Sequence, residues 1–133
     1  MKLLDSTFLI DLLKNKEGAY KKLDDFKKEP ALFVTMVNVF ELVSGIYSIS
    51  PKNNEKRLNE LLKFFAAFEI LDLCLDSAIK AGEIHGKLRS NGKEIDVGDS
   101  LIAGISLTNK VDTIITKNKK HFERIEGLKV EDY

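Results

Sequence analysis

Three carboxylates in apolar surroundings are the side chains of this sequence most able to do chemistry. Asp5 follows two leucines, Glu41 lies between a phenylalanine and a leucine, and Asp99 precedes the mostly apolar segment 100–103. A lone charge in such surroundings destabilises a fold by several kcal/mol unless another group compensates it. Because the three acids are far apart in the sequence, one shared compensator is the simplest solution. A divalent cation is the obvious candidate.

The donor atoms of these side chains indicate which cation and which reaction. Carboxylate oxygens without histidine favour Mg²⁺ or Mn²⁺ over zinc. A bound ion of this kind activates a water molecule and polarises a phosphoryl oxygen, which are the requirements for hydrolysing a phosphodiester. We predict Asp5 as the central ligand and Asp99 as the second direct ligand. Glu41 is predicted to bind through water, to position a second ion or to help activate water.

Each acid also has a purely structural interpretation. Asp5 could complement the dipole of the helix that follows it. Asp99 could be the third residue of a helix that Asp96 caps. We assign Asp96 to that cap, with a role as a metal ligand as the alternative. Glu41 could point away from the core. These readings explain the acids one at a time, but they leave unexplained why all three follow or begin elements that can share one crevice.

Two further polar residues, Thr116 and Asn118, follow an apolar segment near the end of the chain. They could cap a short turn at Lys119–Phe122, or they could orient water or substrate beside the acids. The two histidines, His85 and His121, form no metal-binding pair with helical spacing. We interpret each histidine as a surface or helix residue and not as a ligand.

Length and composition restrict the class of protein. The 133 residues suit one domain spanning 1–133, and 44% hydrophobic with 32% charged residues argues against disorder. Lys plus Arg balance Asp plus Glu at 21 each, so overall attraction to nucleic acid is not indicated. Cys74 is the only cysteine, which excludes an internal disulfide. No apolar run approaches the ~20 residues of a membrane span, so we predict a cytoplasmic protein without a membrane anchor.

Short apolar segments alternate with amphipathic ones along the chain. The predicted strands are 2–4, 31–35, 69–73, 113–116 and 128–130, and the predicted helices are 7–13, 18–28, 37–47, 55–67, 76–88 and 97–107. Ser6 or Thr7 is predicted to cap the first helix, Asp76 the fifth, and Tyr20 is predicted to face the core. This alternation is typical of an α/β fold whose sheet, mostly parallel and of four or five strands, is covered on both faces. Ligands of such sheets bind at the carboxyl ends of the strands.

The ordered set of motifs resembles the PIN-domain family, specifically the VapC-type toxin ribonucleases of type II toxin–antitoxin systems. The resemblance rests on segment 4–11 around Asp5, segment 39–45 around Glu41, segment 95–103 around Asp99 and segment 115–118, which ends in Asn118. It continues with His121 and Phe122 and with segment 125–128. It covers nearly the whole chain.

The resemblance implies a three-layer α/β/α fold, usually a homodimer, that acts as an endoribonuclease with Mg²⁺, for which Mn²⁺ can substitute. The acids of the family correspond to Asp5, Glu41 and Asp99. Many members carry a fourth acid where this chain has Asn118, and His121 stands where some relatives have an acid. These departures leave open whether the site holds one ion or two.

The resemblance also implies a protein partner. A VapB-like antitoxin typically wraps its carboxyl-terminal segment around the toxin and places a basic side chain into the acidic site, where it neutralises the carboxylates. We predict that the helices 18–28 and 55–67 form the groove for that segment.

Three alternatives remain beside the nuclease. A catalytically inactive PIN-like module that binds RNA or a protein would bind Mn²⁺ poorly, so a metal titration distinguishes it. A phosphoacceptor receiver domain needs an acid pair after the first strand, and a phosphatase of the Asp-x-Asp type needs an acid at position 7. Ser6 and Thr7 follow Asp5 here, which disfavours both.

Overall fold

Five parallel strands form the centre of the computed structural model, which describes residues 1–133. The strands are β1 (Lys2–Leu4), β2 (Leu32–Thr35), β3 (Glu69–Leu71), β4 (Thr113–Ile115) and β5 (Lys129–Glu131). Their order in the sheet is β3-β2-β1-β4-β5, and every neighbouring pair is parallel. On one side of β1 the sheet continues with β2 and β3, and on the other side with β4 and β5. The carboxyl end of β1 therefore lies at the switch point where such sheets bind ligands.

Seven helices cover the two faces of this sheet. They are α1 (Ser6–Leu13), α2 (Glu17–Asp25), α3 (Met36–Ile49), α4 (Asn54–Phe65), α5 (Leu75–Ser90), α6 (Val97–Thr108) and α7 (Lys119–Phe122). One buried cluster joins the sheet to α5, α6 and α7, and the other joins it to α1, α2 and α4. The prediction of a three-layer α/β/α fold with a parallel sheet is therefore confirmed.

Strand β1 separates the two hydrophobic clusters. Successive side chains of a strand point to opposite faces, and Leu3 accordingly packs with α5 and α6 while Leu4 packs with α1 and α4. Both leucines are fully buried. Asp5 is the next residue along the chain, so the first predicted ligand follows directly from a strand that is fixed from both sides.

Helix α3 begins at the carboxyl end of β2 through a reciprocal cap. The backbone N–H of Asn38 donates to Thr35 Oγ1 at 3.2 Å, and the backbone N–H of Thr35 donates to Asn38 Oδ1 at 2.7 Å. This pair satisfies two donors at the helix start. It fixes the direction in which α3 leaves the sheet, and Glu41 follows Asn38 by one turn.

Helices α5 and α6 approach each other closely at Gly104. A Cβ atom built on Gly104 would lie 2.6 Å from the carbonyl oxygen of Ser77 and 2.7 Å from the Cβ atom of Ala81. Only a residue without a side chain permits this contact. The contact fixes α6 against α5, and Asp99 belongs to the first turn of α6.

Most predicted elements are present with ends shifted by one to three residues, but three local predictions are wrong. α1 begins at Ser6, so Asp5 and neither Ser6 nor Thr7 occupies the cap position. α5 begins after Cys74, which places Asp76 in its first turn. Tyr20 is exposed, because the short helix α2 buries only Ala19. None of the helices combines the length and apolar character that crossing a membrane requires.

Candidate active site

Asp5 lies at the carboxyl end of β1 and is 3% exposed. Thr116 Oγ1 donates a hydrogen bond to Asp5 Oδ2 at 2.7 Å, and Thr7 Oγ1 approaches the same oxygen at 3.2 Å. Burial raises the pKa of the Asp5 carboxyl, and these hydroxyl contacts only partly oppose the effect. The two hydroxyl groups thus hold the carboxylate in one orientation, while its burial destabilises the ionised form.

Glu41 approaches from α3 and is held by a chain of buried polar groups. Ser6 Oγ donates a hydrogen bond to Glu41 Oε2, and Asn38 Nδ2 donates to Ser6 Oγ at 2.9 Å. Burial raises the pKa of Glu41; the hydrogen bond from Ser6 opposes that rise, while the negative charges of Asp5 and Asp99 add to it. The prediction that this glutamate faces inward, among other acids, agrees with these contacts.

The second oxygen of Glu41 faces the start of α6. A Cβ atom built on Gly98 would lie 2.7 Å from Glu41 Oε1. A side chain at position 98 would therefore collide with the carboxylate. The glycine lets α6 come close enough to α3 for Glu41 and Asp99 to influence each other.

Asp99 is 8% exposed and accepts contacts from the segment after β4. Asn118 Nδ2 donates to Asp99 Oδ2 at 2.7 Å, and His121 Nδ1 lies 2.5 Å from the same oxygen. Burial raises the pKa of Asp99, the contact with His121 lowers it, and the negative charge of Asp5 raises it again. Asp99 therefore shares the electrostatic environment of the other two acids.

Thr116 and Asn118 connect the two aspartates. The backbone N–H of Asn118 donates to Thr116 Oγ1 at 2.9 Å, while the Thr116 hydroxyl contacts Asp5 and the Asn118 amide contacts Asp99. All five residues singled out in the sequence thus lie in one hydrogen-bonded and electrostatically coupled group. Neither Thr116 nor Asn118 makes the side-chain cap of α7 that we considered as an alternative.

No lysine or arginine forms an ion pair with Asp5, Glu41 or Asp99. Lys117, the basic residue between Thr116 and Asn118, pairs instead with Asp11 at 2.8 Å. His121 is the basic side chain that contacts Asp99, whereas Asp5 and Glu41 have no basic partner. A bound cation would stabilise the ionised forms of these buried carboxylates together. Their oxygen donors fit a hard divalent cation, which takes carboxylates and keeps several waters.

The sequence interpretation missed one neighbour of these acids, His121. Asp96, Asp99 and His121 each offer a ligand atom, and these atoms lie within 4.8 Å of one another. Asp96, which we assigned to a helix cap, occupies the cap position of α6 but makes no side-chain cap bond. The available signal was the spacing of His121, three residues after Asn118, which returns its ring to the same side of a helical turn. His85 lies elsewhere, against Ser100 at 2.9 Å.

Two apolar grooves flank Glu41. The larger, about 700 Å³, runs between α1, α3 and α4, and the smaller, about 460 Å³, lies between α3 and the start of α6. The prediction placed a peptide groove between helices 18–28 and 55–67. The larger groove uses α4 as predicted, and α1 and α3 form its other walls. The involvement of α2 stays a prediction.

Comparison with known proteins assigns the family. The family model described as "PIN domain" matches residues 2–128. The chain belongs to the PIN domain family. Among curated proteins, this PIN domain is 31% identical over 133 residues to "Ribonuclease VapC1" of Methanocaldococcus jannaschii, covering 98% of this chain and 86% of that protein. It is 27% identical over 132 residues to the "tRNA(fMet)-specific endonuclease VapC" of Salmonella typhimurium, covering 98% and 96%.

Solved structures share the same fold over nearly the whole PIN domain. A chain in the crystal structure of VapBC2 from Rickettsia felis, bound to a DNA fragment from the promoter, superposes with a TM-score of 0.85 at 26% identity and covers 99% of this chain and 98% of that one. A chain of DNA-bound VapBC from Salmonella typhimurium gives 0.82 at 27% identity and covers 98% and 96%. Both descriptions name VapBC proteins bound to DNA.

Proposed function

We propose that this chain, a single PIN domain over residues 1–133, is a metal-dependent endoribonuclease and the toxin of a VapBC-like toxin–antitoxin pair. The observation that carries the proposal is the proximity of Asp5, Glu41 and Asp99: the negative charge of Asp5 raises the pKa of both other acids, and no lysine or arginine neutralises the three. The relatives named as ribonucleases support the reaction class. The reaction is hydrolysis of an RNA phosphodiester.

In this proposal, Asp5 and Asp99 bind the cation directly and Glu41 completes the set, directly or through water. The cation is Mg²⁺, with Mn²⁺ able to substitute, because both accept carboxylate oxygens. When bound, it supplies an activated water and neutralises charge on the scissile phosphate.

The protein groups of the site have separate tasks. Thr116 holds Asp5 and Asn118 holds Asp99, so the two aspartates keep a fixed separation when substrate enters. Ser6 binds Glu41 Oε2, which leaves Oε1 to accept a proton from the attacking water. The raised pKa of Glu41 makes it a better proton acceptor than an exposed glutamate.

The grooves beside Glu41 suit two protein partners. The larger groove exposes Ile10, Leu13 and Ile49, and we assign it to an apolar segment of a VapB-like antitoxin that brings a basic side chain to the acids. The smaller groove includes Phe40, which is 70% exposed, and we assign it to the contact between two copies in a homodimer. The VapBC complexes among the structural neighbours support the antitoxin. We propose that the protein acts in the cytoplasm, where its RNA substrate and this partner would be present.

Cleavage of RNA by the purified chain tests the proposal. Total RNA and a tRNA pool that includes the initiator tRNA should be cut in Mg²⁺ and left intact in EDTA. Asp5→Asn and Asp99→Asn should each abolish cutting, while Asp25→Asn, at an exposed position of α2, should retain it. Full activity of both site variants would overturn the site assignment. Tight Mn²⁺ binding without cleavage of any RNA would overturn the nuclease and favour an inactive binding module.

A further inference from the structure

Three side chains, those of His121, Asn118 and Asp96, surround Asp99 Oδ2. His121 Nδ1 lies 2.5 Å and Asn118 Nδ2 2.7 Å from Asp99 Oδ2, and these two nitrogens are 3.0 Å apart. Asp96 Oδ2 lies 3.9 Å from His121 Nδ1. The imidazole therefore faces carboxylates on two sides with its Nδ1 atom.

The tautomer of His121 decides what Nδ1 does in this group. With a hydrogen on Nδ1 the imidazole donates to Asp99, as the Asn118 amide also does, and with a free lone pair Nδ1 is an acceptor. In the second tautomer the lone pair lies within 4.8 Å of oxygens of both Asp99 and Asp96. A cation at this point would satisfy all three groups.

The spacing and exposure of these groups suit an ion. Ligand atoms at right angles around an ion with bonds near 2.1 Å lie about 3 Å apart, and the observed separations of 2.5 Å and 3.9 Å from Nδ1 bracket that value. The His121 side chain is 26% exposed and that of Asp96 is 81% exposed. The ligand atoms of these two side chains can therefore move by a few tenths of an ångström, and an ion can reach them from solvent.

From these contacts we propose that His121 is a nitrogen ligand of the metal centre and that it makes the protein bind Mn²⁺ more tightly than Mg²⁺. The proposal rests on the metal dependence proposed above and extends it to the identity of the ion. Mg²⁺ takes oxygen donors almost exclusively, whereas transition-metal ions accept imidazole readily. A site made only of Asp5, Glu41 and Asp99 would offer oxygen donors alone and would discriminate less between the two ions.

The chain provides a matched control for a spectroscopic test, because His85 is the only other histidine. Pulsed electron paramagnetic resonance of the Mn²⁺-loaded protein should show modulation from a directly bound ¹⁴N nucleus. His121→Gln should remove this modulation, and His85→Gln should retain it. His85 contacts Ser100 and Glu94 and none of the three acids. Circular dichroism of both variants checks that they are folded.

Calorimetric titration measures the preference itself. The affinity for Mn²⁺ relative to Mg²⁺ should fall by about tenfold or more in His121→Gln and in His121→Glu, since changes beside a metal typically alter affinity by about 10–100-fold. His121→Glu restores an oxygen ligand, so its Mg²⁺ affinity should equal or exceed that of the wild type.

The outcomes separate this inference from the proposed function. An absent nitrogen signal in the wild type, or an unchanged Mn²⁺-to-Mg²⁺ ratio in both variants, overturns the assignment of His121 even if the protein cuts RNA. A nitrogen signal that disappears in His121→Gln supports it even if no RNA is cut, in which case only the nuclease proposal fails. Failure of the wild type to bind Mn²⁺ overturns both.

Discussion

Replacing Glu41 with Gln should stabilise the metal-free protein. Gln has the same shape and keeps an oxygen for the hydrogen bond from Ser6. Burial and the charges of Asp5 and Asp99 raise the pKa of Glu41, so its ionised form destabilises the fold. Each like-charged neighbour costs about 1 kcal/mol in a partly screened site, and the bond from Ser6 offsets about 1.5 kcal/mol. With the desolvation included, we expect a net gain of about 1 kcal/mol in the free energy of unfolding.

The pH dependence of this gain in the free energy of unfolding follows from the raised pKa of Glu41. Below about pH 4, Glu41 is protonated in both the folded and unfolded chain, so wild type and variant should be equally stable. As the pH rises through the ordinary glutamate pKa, the unfolded chain loses its proton first and the wild type loses stability. The gain should therefore be complete only above the raised pKa of the folded state.

Thermal unfolding in EDTA measures the effect. At pH 7.5, Glu41→Gln should raise Tm by about 3–5 °C for a domain of this size, and the difference should vanish near pH 4. Glu126→Gln, at an exposed turn, serves as the control and should leave Tm unchanged. A Tm of Glu41→Gln equal to or below that of the wild type at pH 7.5 would refute the idea that the acids repel one another.

Two further substitutions test the packing and the support of the site. Gly104→Ala should destabilise the fold by about 2 kcal/mol in urea unfolding, because its Cβ would overlap the backbone of Ala81. Gly86→Ala, which has open space around it, should instead stabilise by about 0.5–1 kcal/mol, and equal effects would contradict the packing argument. Thr116→Val should weaken metal binding about tenfold in calorimetry by removing the donor to Asp5, while Thr116→Ser should not.

The arrangement of strands could be predicted from sequence because the signals were local. Strands β1 and β4 are short, largely buried apolar runs, and the edge strands β3 and β5 are more exposed. Each of the first three crossovers contains at least one amphipathic helix. The parallel sheet and its layers follow from that alternation. Asp5 could be placed at the site for the same reason, because a residue directly after the central strand lies at its carboxyl end.

Contacts that depend on tertiary structure were not predictable in this way. His121 belongs to a four-residue helix that carries no periodic signal, so its approach to Asp99 depends on how the chain folds after β4. The groove beside Glu41 depends on the angle between α3 and α4. The cap of α1 was misplaced because Asp5, Ser6 and Thr7 are all common cap residues, and only the geometry distinguishes them.

Helix α3 contributes to both hydrophobic clusters, with Val37 on one side of the sheet and Leu42 on the other. Glu41 therefore belongs to an element shared by the two layers, whereas Asp99 is carried by α6, which packs with one layer only. A cation that bound both Glu41 and Asp99 would act as a reversible cross-link between the two layers. The amide hydrogens of α3 and α6 would then exchange with solvent more slowly in the cation-bound protein than in the cation-free protein. The two helices would be protected to a similar degree, although the hydrophobic clusters are the same in both states.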